Sequence, residues 1–97
     1  MSKVWVYILR CADGSYYTGQ TVNLEKRLAE HQIGEGGEWT RHRLPVVLVF
    51  SQEMPDSDSA FFAERQIKNW SWAKKEALTA GNWNLLQWLA KKPRFRA

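Results

Sequence analysis

The stretch "VWVYILRCADGSYYTG", residues 4–19, decides how the chain begins to fold. Residues 4–10 and 15–20 are rich in β-branched and aromatic side chains, a composition that favours strands. Asp13 and Gly14 between them are typical turn residues, so the stretch predicts a β-hairpin. The hairpin places Tyr7 and Tyr17 in neighbouring strands, where the two phenols serve either packing or chemistry.

The pattern continues outward from this hairpin into alternating elements. Thr21 or Asn23 can cap a helix over residues 23–33, and the glycines that follow open a loop to Pro45. The apolar run 46–51 predicts a third strand, and residues 54–59 a polar connection. Residues 58–69, 72–79 and 82–91 predict helices, with Ser71 as a cap. The order ββαβαα with a further C-terminal helix predicts an α/β fold, a three-stranded sheet with helices packed on it.

The length and charge of the chain bound its class. A chain of 97 residues with 44% hydrophobic content indicates one domain over 1–97, with a core over about 4–80 and a C-terminal helix and basic tail over 81–97. The formal net charge is +4, and residues 66–97 carry seven basic groups and one acidic group. This excess is compatible with a solvated tail or with a patch that holds a phosphate backbone.

Cys11 is the single cysteine, which excludes an intrachain disulfide and a zinc site made of cysteines. The apolar run 4–9 is too short for a signal peptide or a membrane helix. We therefore expect a cytoplasmic protein without a membrane partner. We also expect a monomer, with a dimer left open.

Two polar residues interrupt the apolar face of the first helix. Leu24, Arg27, Leu28 and His31 recur at helical spacing, a stripe that usually meets the core. A buried guanidinium is costly, so Arg27 needs a carboxylate partner or an anion in a cleft. The alternative is that Arg27 extends to solvent from the edge of the stripe and that His31 is a hydrogen-bonded core histidine.

Glu64 raises the same question in the second long helix. It borders an apolar stripe and is either a surface carboxylate paired with Lys68 one turn later or a metal ligand or general base. Tyr7 and Tyr17 are either strand packing or, beside a cation or metal-bound water, able to act on a proton.

Together these side chains are the parts needed to cut a phosphodiester. A divalent ion on Glu64 would neutralise phosphate charge, and Arg27 would bind the scissile phosphate. A tyrosine or His31 would orient or deprotonate the attacking water. Spacing alone does not show that they converge.

The ordered motifs resemble the GIY-YIG endonuclease superfamily, and in particular its small bacterial stand-alone members. Trp5-Val6-Tyr7 and Tyr17-Thr18-Gly19 are similar to its paired motifs. The stretch "NLEKRLAEH" resembles its helix with Arg and, one turn later, His or Tyr. "GEGGEWTRHRLPVVLVF" resembles its loop and third strand, and "AERQIKNWS" the helix with its metal-binding Glu. The match covers about residues 4–80.

The resemblance implies a three-stranded antiparallel sheet flanked by helices and a metal-dependent endonuclease that hydrolyses DNA. It implies one Mg²⁺ or Mn²⁺ ion on Glu64, the two tyrosines at the water and phosphate, and His31 assisting. Double-stranded, branched or single-stranded DNA is the expected partner, in repair or recombination. The expected catalytic residues are Tyr7, Tyr17, Arg27, His31 and Glu64. The expected nucleic-acid contacts are Arg27, Thr40, Arg41 and Lys68.

Three positions depart from the family pattern. Trp5 stands where the first motif has Gly, and Gln20 stands where some repair nucleases carry a Lys that could help to lower a tyrosine pKa. Glu38 stands in the loop where close relatives often have Lys.

Two other functions remain open on the sequence. A non-catalytic nucleic-acid-binding module would use Trp39, Trp70, Trp72 and the C-terminal lysines for stacking and backbone contacts. An interaction domain would use a partner face on the last predicted helix, formed by Trp83, Leu86, Trp88 and Leu89.

Overall fold

The computed structural model describes residues 3–81. Its elements are β1 (Val4–Arg10), β2 (Tyr16–Thr21), α1 (Leu24–Gln32), α2 (Glu38–Arg41), β3 (Val47–Met54), α3 (Ser57–Lys68) and α4 (Trp72–Thr79). The predicted order ββαβαα is confirmed, with the one-turn helix α2 inside the predicted loop as an addition. The helix predicted over 82–91, with its partner face, lies outside the described residues.

Within residues 3–81 the sheet has three antiparallel strands in the order β2-β1-β3, so β1 is central. Tyr7 pairs with Gly19 and Leu9 with Tyr17, which fixes the register of the hairpin. Gly14 turns the chain with a φ of 86°, a left-handed conformation that favours glycine. The hairpin predicted from residues 4–19 is therefore confirmed.

Helices cover both faces of the sheet, which explains why β1 is almost wholly buried. Side chains alternate along a strand, so Val6 and Ile8 face α3 and α4 while Tyr7 and Leu9 face the opposite side. The first core consists of Val4, Val6, Ile8, Tyr16, Met54, Ala60, Ala63, Ile67 and Leu78. The second consists of Tyr7, Leu9, Cys11 and Val46, with Tyr17, Leu24, Leu28, Leu44 and Leu48 packed against it.

The third strand corrects the sequence prediction at both ends. It begins at Val47 and runs to Met54, because its pairing with β1 continues as far as Val4 and Met54. Residues 52–54 were expected to lie beyond the strand, but an edge strand with one side in solvent accepts polar residues. Val47 is correspondingly 58% exposed despite its place in an apolar run.

Side-chain caps set the helix starts. Asn23 accepts a hydrogen bond from the Lys26 amide at 3.1 Å and Ser71 one from the Lys74 amide at 3.2 Å, as their positions in the sequence predict. Asp56 caps α3 through the Ser59 amide at 2.7 Å, so this helix begins just before the predicted residue 58. No helix in residues 3–81 has the length and apolar character needed to cross a bilayer.

Candidate active site

The Tyr7 side chain lies over the glycine that pairs with it. A β-carbon at position 19 would stand 2.6 Å from the Tyr7 hydroxyl oxygen, so only glycine leaves room for this phenol. The Tyr17 ring lies on the same face of the hairpin, with its centroid 6.4 Å from that of Tyr7. Strand pairing thus brings the two phenols together and carries the Tyr7 hydroxyl over β2.

His31 reaches the Tyr7 hydroxyl from α1. Its Nε2 lies 2.9 Å from the Tyr7 hydroxyl oxygen, and its Nδ1 lies 2.9 Å from Oγ1 of Thr40. The imidazole has no exposed surface, and the Tyr17 ring packs edge-on against it with centroids 5.3 Å apart. His31 is therefore a hydrogen-bonded core histidine that contacts Tyr7, and both of its nitrogens have partners inside the protein.

Arg27 has the carboxylate partner that its position on the stripe demands, and a backbone carbonyl as well. Its Nη1 donates to Oε1 of Glu30 at 3.0 Å, and its Nη2 donates to the carbonyl oxygen of Gly36 at 2.9 Å. The side chain is 35% exposed and lines a cleft of about 320 Å³ together with Gln20 and Lys26. A charge held in this way remains available to an anion that enters the cleft.

Gly36 supports the His31 ring as well as Arg27. A β-carbon at this position would collide with Nδ1 and its neighbouring ring atoms. The backbone of residue 36 therefore lies directly against the imidazole, while its carbonyl holds the guanidinium of Arg27. One glycine in the loop before α2 thus positions two of the predicted site residues.

Glu64 approaches from the opposite side of the sheet, on α3. Oε1 accepts a hydrogen bond from Nε2 of Gln20 at 2.7 Å, and Oε2 lies 3.0 Å from Nζ of Lys68. The carboxylate side chain is 14% exposed and lines a second cleft, of about 330 Å³, with Phe61, Arg65 and Asn69. The ion pair that offered the alternative interpretation of Glu64 is thus present.

Gln20 connects the two sides at the outer strand of the sheet. It lies on the edge strand β2, follows Gly19 directly, lines the cleft of Arg27 and donates to Glu64. In the sequence, Gln20 stands out only as a departure from the family pattern. Its position in the sequence, directly after Gly19, could have identified it, because Gly19 lies beneath the Tyr7 phenol.

The environment shifts the pKa values of Tyr7 and His31 in the directions that favour the neutral form of each side chain. Burial raises the pKa of Tyr7, and the adjacent Arg27 guanidinium opposes this rise, while the charges of Tyr17 and Glu64 add to it. Burial also lowers the pKa of His31, and the positive charge of Arg27 lowers it further against the opposing effect of Glu30. Burial therefore favours the neutral form of the imidazole.

The remaining predicted nucleic-acid contacts lie in different environments. Thr40 was expected to contact nucleic acid, but it is fully buried on α2 and contacts His31, a placement that does not fit such a contact. Arg41 is exposed and paired with Glu38 at 2.9 Å, in a separate shallow cleft that also holds Glu35. Lys68 is 53% exposed and paired with Glu64.

The aromatic side chains proposed for stacking on bases already have partners in the protein. The Arg43 guanidinium lies 3.4 Å from the centroid of the Trp39 ring. Trp72 packs on Tyr16 at 5.9 Å and donates to the carbonyl oxygen of Gly14. Trp70, between α3 and α4 in the chain, packs against the first core. The basic tail lies outside the described residues.

Glu64 is the carboxylate that fits a divalent ion. Residues 3–81 contain no group of three or more His, Cys, Asp or Glu side chains placed to hold a metal. Mg²⁺ commonly binds through one or two carboxylates, several waters and the phosphates of a substrate. A single carboxylate on the wall of an open cleft fits that mode of binding, and the exposed Lys68 side chain can leave it.

Comparisons with known proteins bear on the family of the whole chain. Residues 3–77 match the family model described as the GIY-YIG catalytic domain. A UPF0213 protein of Natronomonas pharaonis is 49% identical over 76 residues, which cover 78% of this chain and 89% of that protein. A UPF0213 protein of Streptococcus pneumoniae serotype 4 is 40% identical over 80 residues, which cover 82% and 81%. The relatives thus include archaeal as well as bacterial proteins.

A solved structure shares this architecture. The solution structure of a UPF0213 protein from Bacillus halodurans superimposes with a TM-score of 0.54 at 40% sequence identity, covering 80% of this chain and 83% of that one. This likeness extends the sequence match to the three-stranded sheet and its helices. The chain therefore belongs to the GIY-YIG nuclease domain family.

Proposed function

We propose that this protein is a metal-dependent endonuclease that hydrolyses DNA phosphodiester bonds. The observation that supports this most is the convergence at β2 of two groups of side chains. Tyr7, Tyr17 and Arg27 lie on one side of this strand, and Glu64 meets Gln20 from the other.

Arg27 is the phosphate-binding residue of the proposal. Its guanidinium is fixed by Glu30 and Gly36, so little side-chain freedom is lost when a phosphate binds. A preorganised cation stabilises charge that develops on the phosphate in the transition state. Lys26 lines the same cleft and extends its positive charge.

The candidates for contact with the attacking water are Tyr17, which is half-buried, and Tyr7, which is 2% exposed. The sequence left the general base open among these tyrosines and His31, but His31 has no exposed surface and both nitrogens are occupied. We therefore assign His31 to support of Tyr7. Tyr17 is more accessible than Tyr7, and within residues 3–81 its hydroxyl has no hydrogen-bond partner.

Glu64 would hold one Mg²⁺ or Mn²⁺ ion. When bound, such an ion supplies positive charge that neutralises the phosphate and stabilises the leaving oxygen. Gln20 keeps Oε1 of this carboxylate at the β2 edge, and Lys68 neutralises it in the resting protein.

The test is a cleavage assay on duplex, branched and single-stranded DNA with Mg²⁺, Mn²⁺ or EDTA. We expect metal-dependent cleavage by the full chain and a loss of about 100-fold or more in Glu64→Gln, since the ligand charge is removed. Glu53→Gln, at an exposed carboxylate on β3, is the matched control and should cleave normally. Equal residual cleavage by wild type and Glu64→Gln would contradict the proposal.

The same assay separates catalysis from binding alone. A non-catalytic nucleic-acid-binding module would show salt-sensitive DNA binding without cleavage and would be indifferent to Glu64. Cytoplasmic location, a monomeric state and a role in repair or recombination stay predictions.

A further inference from the structure

Two buried threonines of this chain differ in what their hydroxyls do. Thr18 on β2 is 2% exposed, and its Oγ1 has no hydrogen-bond partner among residues 3–81. Thr40 on α2 is fully buried, and its Oγ1 lies 2.9 Å from Nδ1 of His31. The contrast indicates that the Thr40 hydroxyl has a specific task.

That task concerns the tautomer of His31. A neutral imidazole donates from one nitrogen and accepts at the other, so the partner of one nitrogen decides the role of the other. Here Nε2 faces the Tyr7 hydroxyl, and Nδ1 faces Thr40. The Gly36 backbone lies directly against the ring.

The direction of the hydrogen bonds follows from the chemistry of Tyr7. A phenol with a pKa near 10 is a better donor than the N–H of a neutral imidazole. Because the phenol is the stronger donor of the two, the Tyr7 proton points to Nε2 of His31, 2.9 Å away. Nε2 is then an acceptor, Nδ1 carries the ring proton, and Nδ1–H requires an acceptor in turn.

We propose that Thr40 is a positioning residue that accepts the Nδ1–H of His31 and thereby directs the Tyr7 O–H to Nε2. The lone pairs of the Tyr7 oxygen then remain free to accept hydrogen bonds. The consequence for catalysis rests on the proposed nuclease function, whereas the tautomer itself does not. The helix α2, which the sequence did not predict, places this hydroxyl beside the His31 ring.

The experiment compares wild type with Thr40→Val, Thr40→Ser and Thr18→Val. Long-range ¹H–¹⁵N correlation spectra of the labelled full chain near neutral pH report which ring nitrogen carries the proton, and the exposed His42 gives the reference signal. We expect Nδ1–H for His31 in wild type, Thr40→Ser and Thr18→Val. Thr40→Val should shift His31 toward the Nε2–H tautomer.

Cleavage kinetics supply the functional readout. Loss of a residue that orients a catalytic group typically reduces activity by about 10- to 100-fold. We expect a fall in that range in the kcat of Thr40→Val with KM little changed, restoration by Thr40→Ser, and normal kinetics in Thr18→Val.

A wild-type spectrum with Nε2 protonated, or a Thr40→Val spectrum identical to wild type, would overturn the proposal. If Thr40→Val does not fold, the wild-type and Thr40→Ser spectra still decide the tautomer. If no variant cleaves DNA, the nuclease proposal fails and the tautomer result stands by itself. If cleavage is robust and indifferent to Thr40, this inference fails by itself.

Discussion

The two sides of the sheet supply different halves of the candidate site. On the α1 side, a buried chain of hydrogen bonds joins Tyr7, His31 and Thr40. The Gly36 backbone lies against the His31 ring. On the α3 side, Glu64 lines an open cleft and is paired with a Lys68 that is more than half exposed. The buried half suits a group that must stay oriented. The open half suits the Glu64 carboxylate, which must give up contacts with water to bind a metal ion and must leave room for a substrate.

The largest expected effect tests whether these halves form one site. Arg27→Ala should reduce metal-dependent cleavage by about 100- to 1000-fold, the range seen when a preorganised charge donor is removed. Residues that act as a unit are not additive, so the double variant with Glu64→Gln should lose little more than either single variant. The measurement is kcat/KM on the best DNA substrate of the panel.

Lys26→Ala is the control for that change. Lys26 also lies near Glu30 in the same cleft but is 72% exposed, so its loss should cost a few-fold at most. Fully multiplicative losses of kcat/KM in the double variant would indicate that Arg27 and Glu64 act in separate sites. The two sides of the sheet would then not form one site.

An intermediate effect is expected on stability and distinguishes the rigid half from the open one. Gly36→Ala should lower the free energy of unfolding by about 1–3 kcal/mol, because its methyl group overlaps the His31 ring. Arg65→Ala in the open cleft removes an exposed side chain and should stay within about 0.5 kcal/mol of wild type. Urea unfolding of both variants provides the measurement, and equal stabilities would contradict the distinction.

The sequence predicts the half of the site that depends on regular spacing. Strand alternation places Tyr7 and Tyr17 together, and the i, i+4 spacing places Arg27 and His31 on one helical face. It does not predict that Thr40 points inward, because that depends on how the glycine loop packs against His31. It also misses the bond between Gln20 and Glu64, which joins an edge strand to a helix 44 residues later through tertiary packing alone.

The smallest effect concerns pH and separates the buried histidine from the exposed one. Burial lowers the folded-state pKa of His31 below its unfolded value, with Arg27 adding to this and Glu30 opposing it, while Tyr7 faces it from β1. The unfolded chain then binds the proton first, so His31 contributes stability that is complete above the unfolded pKa and is lost as pH falls through the folded pKa. The contribution of one group to the unfolding free energy has a slope of at most about 1.4 kcal/mol per pH unit.

Unfolding free energies measured from pH 7.5 downward should therefore fall less steeply in His31→Asn than in wild type. His42→Asn, at a solvent-exposed ring, is the control and should leave the His31-dependent part of the slope in place. Matching profiles for His31→Asn and wild type would show that protonation of the buried imidazole does not affect stability.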